Sequence, residues 1–396
     1  MSFSIQYRLP DTAFWEQYTR LWENSKHRSP FQSPSILRYY AEKQASAVAV
    51  FQYAGADGEL LGAALFKRDK EHFSFLSDIK TDANFFVLHR NLKPDETRRF
   101  FEHLLETVER ENWALMLNHK PAWADYTSEF EAIVKKSPLY AMNLDYSVCP
   151  VAEAETPDAL FQRVENSGKF RYYATRVSKA TGMDFEVFED DNELEAWAEA
   201  YCRAHVKRWN NTSTPSSFLD AKRREILLGC LQAWSRDNVL VRFSINSRDG
   251  RIGFAIGLRE ERSLIFHATT FDPDYAKYSP GKALIHFIAS WMVGEGLSTL
   301  DFGDGNEAYK YEVASREQVL RRVFLSRKTN LRFILKTLAI KVVRENPGMF
   351  SLYQNRLKPF YLNLKRRAAV FMSLSLCFNQ VEYFLADEQF ALVLAS

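Results

Sequence analysis

The sequence lacks any run of about 18 uncharged apolar residues, which is the length needed to cross a bilayer. Its first residues, MSFSIQYRLPDTAFWEQYTR, also lack the basic segment and apolar stretch of a secretory leader. We therefore expect a cytoplasmic protein, with a peripheral position at the inner face of a membrane left open.

Cysteine is scarce, and its four copies lie far apart at Cys149, Cys202, Cys230 and Cys377. No C-x-x-C pair occurs among them. We expect reduced thiols and no bound metal.

Length and composition indicate a globular protein of more than one domain. The 396 residues exceed one ordinary core, and 46% hydrophobic with 26% charged residues is typical of folded domains. We predict a first unit at residues 1–150, a second at 151–330 and a basic helical extension at 331–396. The join near residue 150 contains proline and acidic residues, which suit a linker.

Positive charge is concentrated near one end, although the net charge is only +2. The stretch Arg316–Arg367 contains 14 Lys and Arg against Glu317 and Glu345. One interpretation is a set of solvated helix faces. The others are a site for a polyanion, such as coenzyme A phosphates, a nucleotide-linked substrate or RNA, and a contact with anionic lipid or a membrane synthase.

Two parts of the chain share one pattern, a helix followed by a hairpin. Each has a stretch of helical spacing, a β-rich run, an Asp-Gly turn and a strand containing small residues; the turns are Asp57-Gly58 and Asp249-Gly250. Asp-Gly between two β-rich runs is a strong hairpin signal. The pattern favours two copies of one α/β unit, while a chance match of a common motif stays open.

The second copy continues into a strand, a turn and a helix. Alternation over Leu264–Phe271 predicts a strand with Leu264, Phe266, Ala268 and Thr270 on one face and His267 and Thr269 on the other. Ser279-Pro280-Gly281 then predicts a helix start, with Ser279 as N-cap. The first N–H groups of a helix are unpaired and attract anions, so Gly281, Lys282 and Ala283 are candidate phosphate donors.

This segment resembles the GNAT acetyltransferases, which bind the coenzyme A pyrophosphate with [R/Q]-x-x-G-x-[G/A] at a helix start. Tyr278-Ser279-Pro280-Gly281-Lys282-Ala283 is similar to that motif, with Tyr278 in place of Arg or Gln. The string from Asp301 to Lys310, DFGDGNEAYK, resembles the CelD-like branch of polysaccharide clusters, which is related to the Fem-type peptidyltransferases. Asp304 stands where that branch often has Arg.

The resemblance implies an α/β fold of tandem GNAT-like units, with mixed, mainly antiparallel sheets flanked by helices. It also implies direct acyl transfer from acetyl-CoA or a longer acyl-CoA in a ternary complex, with Ala268, Thr269 and Thr270 along the pantetheine arm. The candidates for proton transfer and electrostatic roles are His267 and Glu307 as base, Tyr309 as acid, and Lys310 and Asp304 beside them.

Structural roles remain open for the same residues. His267 fits an ordinary strand position, Glu307 a turn cap, and Tyr309 and Lys310 a packed ring and an ion pair. His205 and Arg208 either line the acceptor cleft or lie on a surface helix. The first half has no counterpart of YSPGKA, so we expect it to bind no coenzyme A.

Three functional hypotheses follow. The first is an N-acyltransferase acting on an amine, such as an amino sugar or a lipid-linked intermediate of polysaccharide biosynthesis. The second is Fem-like aminoacyl transfer from charged tRNA, and the third is a non-catalytic GNAT scaffold for a membrane synthase.

Overall fold

The structure, a computed structural model, describes residues 2–352 except 70, 79–80, 183, 211, 213–214 and 249, together with residue 356. Across these residues the chain forms one sheet of thirteen strands, flanked by eleven α-helices. The strands are β1 Ser2–Gln6, β2 Val48–Ala54, β3 Leu60–Arg68, β4 Phe73–Phe75, β5 Val87–Leu88, β6 Leu115–Pro121, β7 Tyr140–Glu153, β8 Asp184–Phe188, β9 Leu240–Ser247, β10 Gly250–Glu260, β11 Ser263–Phe271, β12 Thr299–Asp301 and β13 Arg316–Ser326. The helices are α1 Thr12–Glu23, α2 Pro34–Lys43, α3 Pro94–Arg110, α4 Thr127–Lys136, α5 Pro157–Asn166, α6 Phe170–Thr181, α7 Leu194–Trp209, α8 Ala221–Arg236, α9 Pro280–Gly294, α10 Leu331–Glu345 and α11 Pro347–Leu352.

The sheet is mixed and mainly antiparallel. Its strand order is β1-β2-β3-β4-β6-β13-β7-β12-β11-β10-β9-β8, with β5 pairing on β3. Among the described strands, β4 with β6 and β11 with β12 are the parallel pairs. These two pairs occupy equivalent places in the two halves of the sheet, and the predicted α/β class is confirmed.

The two halves exchange their central strands. β7 follows β6 in the chain but pairs with β12, and β13 follows β12 but pairs with β6. β7 and β13 also pair with each other over their length, so each half supplies a strand that completes the other. The segment after Cys149, which suggested a linker, continues β7 to Glu153 because its backbone is paired on both sides.

Both predicted helix-hairpin units are present. β2 pairs antiparallel with β3 after α2, and β9 pairs antiparallel with β10 after α8. At the first turn Gly58 has φ +85°, a value that favours glycine; Asp249 of the second turn lies outside the described residues. The helices α2 and α8 pack together, and a Cβ at Gly229 would come within 2.4 Å of the Tyr39 ring.

A β-bulge in β11 changes which residues share a face. Phe266 pairs with Gly257 and Ala268 with Ile256, so His267 is an extra residue in the ladder. The predicted alternation is therefore wrong beyond this point. Phe266 packs in the core under α5, α6 and α9, whereas Ala268 packs in the larger core shared with the first half.

The extension begins as predicted with helices, α10 and α11. The remainder of residues 331–396, including the uncharged stretch Ala368–Gln380, lies outside the described residues apart from residue 356. None of the described helices has both the length and the apolar character to cross a bilayer.

Candidate active site

Helix α9 begins at a backbone turn rather than at a side-chain cap. Ser279 has φ +52°, and its carbonyl oxygen accepts from the N–H groups of Lys282 and Ala283 at 3.1 and 3.2 Å. Its side chain makes no capping bond, since the left-handed backbone replaces the extended geometry of a side-chain N-cap. Two of the three N–H groups considered as phosphate donors are thus already used. Within the described part of the chain, the Gly281 N–H donates to no backbone oxygen.

The surroundings of Gly281 are open and basic. A Cβ at this position would meet only Phe271, at 3.9 Å, so a ligand can approach the backbone closely. Lys282 follows Gly281 in the first turn of α9, and its Nζ atom lies 2.6 Å from Oε1 of Glu312. The guanidinium of Arg176 lies 5.5 Å from the Tyr278 ring and adds a second cation. Sequence reasoning missed Arg176 because it comes from α6 and belongs to no recognised motif.

The loop before α9 is fixed to α7. Lys207 contacts Asp272 and Asp274, each at 2.6 Å, and the Arg208 guanidinium lies 4.2 Å from the Phe271 ring. Burial lowers the pKa of Arg208. His205 is buried and lies 2.8 Å from Ser216, so neither His205 nor Arg208 belongs to an exposed helix face.

The parallel strands β11 and β12 separate next to this helix start. Only Ser263–Ile265 of β11 pairs with β12, at Thr299–Asp301. Beyond Ile265, β11 continues to Phe271 without a partner among the described strands on this side. Ala268 and Thr270 lie buried in the diverging part. The Thr270 hydroxyl has no hydrogen-bond partner in the described residues, whereas the Thr269 hydroxyl donates to Phe254 O at 2.9 Å. A fully buried hydroxyl without a partner is uncommon in a folded protein.

His267 stands at the point of separation and meets a carboxylate from the other half. Its Nδ1 atom lies 2.8 Å from Oδ2 of Asp82. The rings of Phe31 and Trp234 meet the imidazole edge-on at 5.5 and 5.4 Å, so the ring is held from several sides. Asp82 was not predicted, because a single sequence gives no sign that residues 185 positions apart touch.

The loop after β12 adds further carboxyl groups. Asp301 accepts from the Gly303 N–H at 2.8 Å, and burial raises its pKa to about 6. Asp304 accepts from the Ser147 hydroxyl, and its pKa is also raised, first by burial and further by Asp82. A proton shared within this cluster is therefore easier to hold near neutral pH than at an exposed carboxylate.

Lys310 and Glu307 form a buried ion pair beside that loop. The Lys310 Nζ atom lies 2.8 Å from Glu307 Oε2 and donates to the carbonyl oxygen of Asp304 at 2.8 Å. Gly305 has φ +119°, and a Cβ there would lie 2.7 Å from the Glu307 carboxylate. The ion pair thus holds the loop through the contact of Lys310 with the Asp304 carbonyl.

Tyr309 lies on the same side as α9. Its ring meets Phe302 edge-on at 6.3 Å and packs against the core under α5, α6 and α9. Burial raises the pKa of its hydroxyl, so the group stays protonated across the physiological range.

A cavity reaches Asp82, the hydrogen-bond partner of His267. Its inner part, about 100 Å³, reaches Phe31, Asp82, Ile265, Asp301 and Gly303. Its outer part, about 370 Å³, shares the lining residues Phe85, Trp123, Glu153, Glu260, Ser263 and Thr299 with the inner part. The cavity therefore ends where β11 and β12 separate. Burial raises the pKa of Glu260 to about 7.

Comparison with known proteins agrees with this geometry. Residues 166–311 match the family model of an acetyltransferase (GNAT) domain. No curated protein matches the chain.

Three solved structures are similar over most of their length. FemX has a TM-score of 0.57 at 10% identity, covering 85% of this chain and 99% of that one. L-PGS from Bacillus licheniformis has a TM-score of 0.53 at 10% identity, covering 83% of this chain and 97% of that one. The C-terminal domain of a putative lysylphosphatidylglycerol synthetase from Agrobacterium fabrum has a TM-score of 0.51 at 11% identity, covering 83% of this chain and 96% of that one. At such identities the likeness concerns the fold alone. The chain has a GNAT-like fold, and the structural likeness to Fem-type proteins that the sequence implied is confirmed.

Proposed function

We propose that the protein transfers an acyl group from an acyl-CoA to a primary amine, with the donor at the separation of β11 and β12 and the acceptor in the cavity. The observation that carries this proposal is the position of the His267–Asp82 pair. It lies where the cavity ends and where the two strands part, beside the open start of α9.

The residues at α9 fit a pantetheine and pyrophosphate group. The Gly281 N–H is available to a phosphate oxygen, and Lys282 and Arg176 supply positive charge. Thr270 offers its unpaired hydroxyl to the amides of a pantetheine arm. When bound, the thioester supplies the activated acyl carbon.

The proposed role of His267 is that of general base. Asp82 accepts a hydrogen bond from Nδ1–H and so leaves Nε2 unprotonated. The bound ammonium first loses one proton to solvent. The neutral amine then attacks the acyl carbon, a C–N bond forms, the C–S bond breaks, and Nε2 takes the second proton. Tyr309 stays protonated and is our candidate to return a proton to the thiolate, as an acid must.

The inner part of the cavity favours a positively charged amine. Glu260 and Asp301 line it with Asp82, whereas Glu153 is paired with Arg316 at 2.6 Å. Because the pKa of Glu260 is about 7 and that of Asp301 about 6, the negative charge of the cavity grows as pH rises through this range. An amino sugar or a lipid-linked amine of polysaccharide biosynthesis belongs to this substrate class.

Calorimetry of full-length protein with acetyl-CoA and a longer acyl-CoA tests the donor. We expect binding to wild type and a loss of at least about tenfold in affinity for Gly281→Asp, whose carboxylate repels pyrophosphate. Gly294→Asp is the matched control at the other end of α9, where a Cβ also meets open space. Absence of binding to wild type contradicts the proposal.

Two further measurements separate the alternatives. Salt-dependent binding of charged tRNA without coenzyme A binding favours the Fem-like aminoacyl transferase. Coenzyme A binding without turnover on any amine favours the non-catalytic scaffold.

A further inference from the structure

A row of apolar side chains on α10 faces away from the protein. Leu331, Leu335, Leu338 and Val342 are 66%, 67%, 43% and 54% exposed. Their spacing of four, three and four residues places them on one side of the helix. Isolated exposed leucines are common, but a continuous row of this kind marks an interaction surface.

The opposite side of the same helix is firmly packed. Phe333 and Ile340 are buried against a core cluster that includes Phe324, and the Thr337 hydroxyl lies 2.8 Å from the Tyr140 hydroxyl. Asn330 caps the helix by accepting from the Phe333 N–H at 3.2 Å. The row is thus held in a fixed orientation outside the fold.

Positive charge borders the row. Between residues 327 and 345 there are six Lys and Arg against Glu345. Arg332 and Lys336 lie on one edge and both contact Glu71, while Lys341 lies on the other edge, 43% exposed and 3.8 Å from Glu345. The border therefore keeps a net positive charge.

Other arginines of the basic stretch belong to the sheet. Arg316 lies 2.6 Å from Glu153 and Arg321 3.1 Å from Asp145, both in ion pairs. Arg322 is 1% exposed and lies over the Tyr146 ring. Arg316 and Arg321 are thus each matched by a carboxylate and Arg322 is buried, so the excess positive charge of the basic stretch lies after the sheet, in the helical part.

We propose that α10 docks the protein on an anionic lipid surface, with the leucine row in the acyl boundary and the bordering cations among the headgroups. An apolar face flanked by Lys and Arg is the composition of an interfacial helix. The next residues of the chain, 353–367, carry five Lys and Arg and no Asp or Glu, and a second copy would present the same cations. Like charge therefore disfavours these residues and a second copy as the occupant. Residues 368–396 carry three acidic residues and no Lys or Arg, and the test below separates their binding to the row from lipid binding. The inference is independent of the proposed acyl transfer.

Flotation of full-length protein with vesicles tests the surface. We expect wild type to bind vesicles of phosphatidylglycerol and phosphatidylcholine, to bind pure phosphatidylcholine vesicles at least about tenfold more weakly, and to weaken as salt rises. Leu335→Glu/Leu338→Glu should lose at least about tenfold in binding to the anionic vesicles. Leu219→Glu, at a leucine that is 54% exposed outside α10, should bind as wild type does.

Thermal unfolding and the sedimentation coefficient, measured on the same samples, complete the test. A folded double variant that binds anionic vesicles as tightly as wild type overturns the proposal. A wild-type protein that binds no vesicles also overturns it. In that case, a wild-type dimer that the double variant converts to a monomer means that the leucine row binds a second copy. A wild-type monomer that the double variant makes less stable means that the chain's own residues 353–396 cover the row.

Discussion

The imidazole of His267 is paired with the carboxylate of Asp82 across the two halves of the chain, at 2.8 Å. His267 lies on β11 of the second half, and Asp82 lies between β4 and β5 of the first. Because neither half holds both groups, the second half alone lacks the carboxylate that orients the histidine. The first half therefore contributes Asp82 to the proposed site even though it has no counterpart of the α9 start.

Asp82→Asn should lower kcat by about a hundredfold or more, with little change in coenzyme A affinity. The amide no longer stabilises a protonated imidazole or favours the Nδ1–H tautomer. Steady-state acyl transfer at saturating acyl-CoA should show the loss of kcat. Glu106→Gln, which alters an exposed His103–Glu106 pair of 2.9 Å, is the control and should leave the rate unchanged. An unaltered kcat for Asp82→Asn contradicts the role of His267 as base.

Gly303→Ala should reduce activity by displacing Asp82. Gly303 has φ +64°, and a Cβ there would lie 2.9 Å from the Asp82 Oδ2 atom. Gly296→Ala is a matched control, because Gly296 has φ +70° but open space around its Cβ position. Both variants should lose about 1 kcal/mol of stability from the backbone. If they retain the same kcat, the contact with Asp82 does not matter for activity.

Local patterns in the sequence predicted the parts of the site that are local in the chain. The strand at Leu264, the α9 helix and both hairpins depend on neighbouring residues, and all are present. The bulge at His267 could not be predicted, since it depends on pairing with β10. Asp82 also required the tertiary structure, as did the exchange of β7 and β13.

Lys310→Met should destabilise the protein by about 3 to 5 kcal/mol, because it leaves the Glu307 carboxylate buried without its partner. Urea unfolding of Lys310→Met, Glu307→Gln and the double variant forms a double-mutant cycle, and the double variant should recover part of the loss. Arg38→Met removes an exposed ion pair with Glu42 and should change stability by less than about 1 kcal/mol. A Lys310→Met protein that keeps its stability but loses kcat would instead assign Lys310 a catalytic role.

Lys120→Met should stabilise the protein near pH 7, since Lys120 is buried with Thr127 as its hydrogen-bond partner at 2.9 Å. Burial lowers its pKa from 10.5 to about 8. Between these two pH values the unfolded chain binds more protons than the folded chain. The free energy of unfolding therefore rises with pH, by up to about 3 kcal/mol from pH 8 to 10.5, and this gain is lost as pH falls back through 8. Met removes this dependence and should add about 1 to 3 kcal/mol at pH 7.

The measurement is the difference in unfolding free energy between wild type and Lys120→Met from pH 7 to 10.5, which cancels the other groups that titrate there. The difference should shrink as pH rises. Lys135→Met, on the exposed side of α4, serves as the control and should give a difference near zero throughout. A difference for Lys120→Met that does not vary with pH means that Lys120 keeps an ordinary pKa in the folded protein.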